Sequence, residues 1–241
     1  MTQTQQTPAM VNWIGYLAIA LLLLLPVSVL TVRSGAWQQG LLLYALSCLG
    51  CLLLFTLSGV LLALPRFVPF RRSILLRLLI TVPGTVLLLS LLAGRGDYPP
   101  IHDITTDTDD PPIFTLAPEM RGEEANPLDI KPDSIAQQLA AYTDLQTLQT
   151  SLSPDEAFDR ALRVAGELEW QVYHEDREAG IIEAVDTTRF MAFKDDVVIR
   201  IRSEEQGTAV DLRSVSRVGL GDLGANAKRI RAFLEAFQNQ G

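Results

Sequence analysis

Val197-Val198-Ile199-Arg200-Ile201-Arg202, a break at Ser203–Thr208, then Ala209-Val210-Asp211-Leu212-Arg213-Ser214-Val215-Ser216-Arg217-Val218 is the stretch that decides the fold of the C-terminal part. Both arms alternate with the period of two that a strand requires, and Gly207 in the break can take the positive φ of a tight turn. A symmetric hairpin places Ile201 opposite Val210 and Ile199 opposite Leu212, so four apolar side chains share one face. The other face takes Arg200 opposite Asp211, together with Arg202, Arg213 and Arg217. One apolar and one charged face predict an antiparallel sheet covered on one side.

Upstream of this hairpin, Trp170–His174 and Ile181–Thr187 read as two more strands around a turn at Asp176–Gly180. Ser134–Ala141 reads as a short helix. A longer one follows Ser153, an N-cap with Pro154 at the first helical position and Glu156 completing a capping box. Phe158, Leu162 and Ala165 share its apolar face. The last helix is expected from about Ala225 to Phe237, with Ala227, Ile230, Leu234 and Phe237 as its stripe and Lys228, Arg229 and Arg231 off it. Residues 134–241 are therefore expected to form an α+β domain, an antiparallel four-stranded sheet with helices packed on one face.

The N-terminal part is a different body. Of the 241 residues, the first 93 contain five Arg and no Asp or Glu, whereas residues 94–241 hold all 28 acidic residues against 15 basic ones, a balance of −13. That division excludes a single soluble globule. The acidity of the second part argues against nucleic acid, and two Cys confined to the apolar part exclude a disulfide scaffold. Three stretches, Ile14–Val32, Leu41–Leu64 and Ile74–Ala93, are long enough for a bilayer core of ~30 Å and predict a membrane domain over 1–93. Arg77, inside the third stretch, is expected to snorkel towards the headgroups. Cys48 and Cys51 lie three apart, beside Ser47, Gly50, Ser58 and Gly59, as small residues of a helix interface do. A cleaved signal peptide at Ser34-Gly35-Ala36 is the rival reading of the first helix, against which stand its length and the lack of a basic residue ahead of it.

Arg66, Arg71 and Arg72 crowd the second connection, with Arg77 close by, whereas the first carries Arg33 and the exit from the third helix Arg95. The basic loop is expected in the cytoplasm. The N-terminus is then cytoplasmic and the C-terminal domain extracytoplasmic, periplasmic where a periplasm exists. The expected location is the inner (plasma) membrane, with the lipid bilayer as one partner.

Residues 94–133 read as an extended connector rich in Pro and Asp. His102, Asp103 and Asp107 are its candidates for hydrolytic chemistry. A calcium loop fits poorly, because the central Gly is missing and Pro118 stands where the closing Glu belongs. Gly219-Leu220-Gly221-Asp222-Leu223-Gly224 has dinucleotide-binding spacing, but the chain stops before a second parallel strand, so Asp222 is read as a helix cap. No metal and no cofactor are expected. The Arg face, Arg200, Arg202, Arg213 and Arg217, admits three roles: a solvated face with local pairs, a surface over which the acidic connector drapes, or a site for an anionic ligand. Phe190, Phe193 and Trp170 are the residues that would line a cavity for an apolar ligand.

Four blocks in order carry a resemblance: Pro100 to Asp107; Ile182-Glu183-Ala184 with Thr187-Thr188; Phe193 to Ile201; and Val210 to Ser214, continuing through Gly224-Ala225-Asn226 to Arg229-Ile230. Over about 98–237 the chain resembles the domain-of-unknown-function family 1499, including its membrane-bound members. The resemblance implies that 98–112 belongs to the folded domain and carries no catalytic residues over. The expected function is a membrane-anchored cell-envelope protein whose extracytoplasmic domain binds an envelope protein partner or an anionic small molecule. A periplasmic hydrolase and a carrier of an apolar ligand are the alternatives.

Overall fold

The computed structural model describes residues 6–94, 96–205 and 207–239. The chain divides into two compact units, 1–96 and 97–241.

The first unit consists of α1 (Ala9–Arg33), α2 (Trp37–Ala63) and α3 (Arg71–Ala93), with a 3-10 helix at Pro65–Phe70 leading into α3. Three spans meet the length and hydropathy needed to cross a membrane. The helices begin before the apolar stretches do, because helical hydrogen bonding continues through flanking residues such as Trp37 and Arg71. Small residues set the packing. A Cβ on Gly84 would stand 2.6 Å from Cys51 Sγ, so the buried, free thiols of Cys48 and Cys51 sit in the seam between α2 and α3. Arg77 reaches back one turn along α3 to Ser73. Its guanidinium turns into the bundle, donating to Asn12 Oδ1 at 2.9 Å and to the Ser73 carbonyl at 2.8 Å. Gly15 makes the room, since a Cβ there would meet Arg77 Nε at 2.9 Å.

The second unit contains, in chain order, β1 (Asp103–Thr105), α4 (Ala117–Met120), α5 (Pro132–Ala141), β2 (Leu148–Thr150), α6 (Pro154–Glu167), β3 (Gln171–Asp176), β4 (Ile181–Thr187), β5 (Lys194–Glu204), β6 (Gly207–Ser216) and α7 (Ala225–Asn239). Its sheet has six strands, not four, in the order β1-β6-β5-β4-β3, with β2 pairing farther along β6. The two additional strands are three residues each, too short to show an alternation. They are recognisable only from their partner, β1 lying along Arg213–Val215 and β2 along Thr208–Val210. The central hairpin has the expected register, Ile199 beside Leu212, Arg200 beside Asp211 and Ile201 beside Val210. Gly207 at φ +142° makes its turn, where a Cβ would lie 2.3 Å from the Thr150 carbonyl oxygen.

α6 and α7 pack on the inner face, and their apolar stripes meet Ile182, Val197, Ile199, Val210 and Leu212. α6 starts with the expected capping box of Ser153 and Glu156. α7 is turned from the expected stripe: Phe233 is fully buried and Leu234 only partly so, while Arg229 points inward. The reason is electrostatic, since Asp186 and Asp195 on the sheet meet the Arg229 guanidinium at 2.7 and 2.6 Å. The helices are not the only cover. The outer face is overlain by the segment that follows β1, where Phe114 and Ala117 form a second, small core with Val198 and Val215. Gln138 of α5 closes the rim of β1, accepting from the Thr105 N–H at 3.0 Å and donating to the Thr105 carbonyl at 2.6 Å.

Phe233 stacks on Trp170, with ring centroids 5.5 Å apart, and on Phe237 at 5.9 Å. Phe233→Ala is expected to destabilise the second unit by about 3–5 kcal/mol. Denaturant unfolding followed by Trp170 fluorescence, with Trp13 and Trp37 replaced by Phe, checks it.

Candidate functional site

The side chains that the alternation of β5 and β6 directs to the outer face form three charged groups under the connector. At one end, Asp211 is fully buried and accepts from Arg200 Nη2 at 3.1 Å and Arg202 Nη2 at 2.8 Å. Its other oxygen accepts from the Thr147 hydroxyl at 2.6 Å. The connector supplies two more carboxylates: Asp107 meets Arg200 at 3.0 Å and Arg202 at 3.3 Å, and Asp110 meets Arg200 at 2.8 Å. Asp107 is fixed in turn, because its second oxygen accepts from the backbone N–H of Asp109 and Asp110.

In the middle, Arg213 is 2% exposed and fully engaged. It forms a fork with Asp103 at 2.9 and 2.7 Å and donates to the carbonyls of Pro112 and Leu128. The Phe114 ring covers it at 5.5 Å. At the far end, Asp196 carries two arginines, Arg217 in a fork and Arg121 from the connector at 2.9 Å. Burial pulls the Arg121 guanidinium below the usual arginine range, and the Asp196 carboxylate opposes that.

Next to this pair, Glu183 is buried beneath α4. Burial alone would raise its pKa, but the Thr115 hydroxyl and the backbone N–H groups of Thr115, Leu116 and Ala117 outweigh it. The carboxyl therefore stays below the ordinary range and ionised. Burial, then the neighbouring Glu183, pushes the Tyr173 phenol far up, so it remains a donor to Glu183 at 3.0 Å.

The catalytic candidates do not converge. Asp103 is held on Arg213 and Asp107 on the Arg200–Arg202 pair, while the His102 ring faces the Leu220 carbonyl at 3.3 Å. Successive residues of a strand point to opposite faces, which separates His102 from Asp103. Nor do the three candidate cavity residues meet. Trp170 belongs to the main core and Phe190 is exposed, and the crevice beside Trp170 is lined by Leu168, Asp186 and Arg229 rather than by Phe190 or Phe193. Among the described residues, no three His, Cys, Asp or Glu side chains come together as a metal site requires.

Sequence reasoning missed a fourth polar cluster, on the inner face. Arg229 donates to Asp186, Asp195, Ser214 and Asn226, and Asn226 donates to the carbonyl of His102. Asp222 accepts from the N–H groups of Gly224 and Asn226, the capping role expected of it. The signal available was the pair Asn226 and Arg229, three apart at a helix start and so on one face.

Two tests follow from these pairs. Asp211→Ala leaves Arg200 and Arg202 short of a buried partner and is expected to cost about 3 kcal/mol, the low end for a broken buried pair because Arg202 keeps some solvent; Asp110→Ala, mostly exposed, is expected to cost under about 1 kcal/mol. Chemical denaturation of the two variants separates them. Because the folded-state pKa of Glu183 is depressed, its contribution is present above the ordinary carboxylate pKa of about 4.5 and lost as pH falls through the folded value. Stability measured from neutral pH down through that range is expected to fall more steeply in the wild type than in Glu183→Gln.

A search of the curated proteins finds no match to the chain. The profile of a family described as protein of unknown function (DUF1499) matches residues 103–237, which span every strand of the sheet and all three charged groups of its outer face. The chain belongs to that family.

Proposed function

We propose that this is a multi-pass plasma-membrane protein whose domain lies on the extracytoplasmic side and works as an interaction module for a partner carrying an anionic group. The orientation is supported by the concentration of Arg66, Arg71 and Arg72 between the end of α2 and the first turn of α3, against Arg33 alone where α1 gives way to α2. The Arg200–Arg202 corner supports the binding role and is its main observation. Arg213 and Arg217 are struts consumed by carboxylates and carbonyls, whereas the Arg202 side chain is 38% exposed and the Asp110 side chain 73% exposed. An incoming carboxylate or phosphate that displaces Asp110 meets two guanidinium groups already oriented by Asp211.

Fusions of alkaline phosphatase after the C-terminal residue, and of a fluorescent protein that matures only in cytoplasm at the same place, test the orientation. The phosphatase is expected to be active and the fluorescent protein dark, and the opposite pattern overturns it. Native mass spectrometry of the full chain in nanodiscs tests the corner. A co-purifying anion or partner is expected to bind at least about tenfold more weakly to Arg202→Ala, the loss of one charge-assisted contact. An unliganded wild type, or binding indifferent to Arg202, sinks the interaction reading.

A further inference from the structure

The end of the sheet at which the chain enters the domain differs from the rest of its surface. β1 runs antiparallel to β6 with Asp103 beside Val215, so residues 97–102 arrive next to the 217–224 loop. There the Asp222 N–H donates to the Ile101 carbonyl at 3.2 Å, and the Tyr98 ring lies against Gly224. The turn between β4 and β5 is at the same end, because Asp195 pairs with Ser216, and α7 starts from it.

Two leucines project from this loop. Leu220 is 87% exposed and Leu223 is 52% exposed. Leu223 is held at φ +53°, a left-handed conformation unfavourable for a residue with a side chain. Asp222 between them is turned inward, its carboxylate on the α7 N-terminus. Two exposed lysines flank the leucines, Lys194 at the start of β5 and Lys228 in the first turn of α7. Neither is in a salt bridge among the described residues. The two lysines stand out in a segment, 94–241, whose charge balance is −13.

Chain length fixes what this end can reach. α3 stops at Ala93, and the five steps from there to Tyr98 span at most about 18 Å of extended chain. Tyr98 packs on Gly224, so no more than that length of chain separates the end of α3 from the residues on which the leucine loop rests. We propose that this end of the domain docks on the anionic lipid surface of the leaflet at which α3 ends. Leu220 and Leu223 enter the headgroup and acyl boundary, and Lys194 and Lys228 face lipid phosphates. The docking requires membrane anchoring but neither the orientation nor the Arg202 corner proposed above.

The test uses the full chain in vesicles, with Cys48 and Cys51 replaced by Ser and an environment-sensitive dye on Leu220→Cys. Glu178→Cys, in the turn at the opposite end of the sheet, is the control, and Met191→Cys, in the β4–β5 turn, is a second reporter should the first label perturb the loop. In phosphatidylcholine vesicles containing phosphatidylglycerol, the dye at 220 is expected to shift to the blue and be quenched several-fold more than at 178 by lipids spin-labelled near the headgroup. Removing the phosphatidylglycerol, or making Lys194→Glu with Lys228→Glu, is expected to reduce that quenching. Equal, water-like signals at 220 and 178 overturn the docking. A dye at 220 shielded from both the lipid quencher and aqueous iodide also overturns it, because a protein then covers the tip. Quenching indifferent to anionic lipid and to both lysines overturns the electrostatic half.

Discussion

The second unit depends on one electrostatic constraint: arginines on the outer face of β5 and β6 are too enclosed to be left to water. Arg213 is 2% exposed and Asp196 and Asp211 are fully buried. An ionised group in such a place is tolerated only with a counter-charge and hydrogen bonds to its remaining atoms. The connector provides both for Arg200 and Arg213, while its own Arg121 meets Asp196 as an ion pair with no hydrogen-bond partner among the described residues. It brings Asp103, Asp107, Asp110 and Arg121, and it places the carbonyls of Pro112, Leu128 and Met120 on guanidinium N–H groups left over. Its aromatic and small side chains, Phe114 and Ala117, then fit between the ion pairs against Val198 and Val215. The polar segment folds because the sheet needs it, and the sheet's charges are admissible because the segment is there.

This arrangement divides the arginines by task. Arg213 and Arg217 are bonded on several sides and act as struts, and Arg229 does the same on the inner face, tying α7 to β4 and β5. Arg202 is the member that keeps contact with solvent. Glu183 plays the complementary part beneath α4, where one carboxylate collects the N–H groups of successive residues that no strand or helix satisfies. Specific enclosure of this kind explains why so polar a stretch as 103–128 can be ordered.

Much of this was legible in the residues. The period of two in Val197–Arg202 and Ala209–Val218 defined the central hairpin and its register, because a slip of one residue would have put Ile199 and Leu212 among the arginines. The capping box at Ser153 and the three apolar spans were equally plain. β1 and β2 were not, since three residues carry no period and their identity rests on β6, more than 50 positions away in each case. The inward turn of Arg229 was hidden for a similar reason: an apolar stripe on a helix excludes a cation unless Asp186 and Asp195 are known to lie opposite. Of the arginine face, the residues and the Asp partners were visible, but only the fold says which of them keep access to water.

Both short strands pair along β6, and that has a bearing on life in two dimensions. Proteins anchored in one membrane meet at high local concentration and in restricted orientations, conditions under which an open row of backbone N–H and C=O groups recruits a neighbour's strand. β1 and β2 leave no such row on β6 opposite residues 208–210 and 213–215. At the far margin of the sheet, β3 is interrupted by a register shift between Val172 and His174 and ends in Glu175 and Asp176, two standard defences against strand addition. The sheet is thereby protected from joining its neighbours edge to edge, and association is left to side chains.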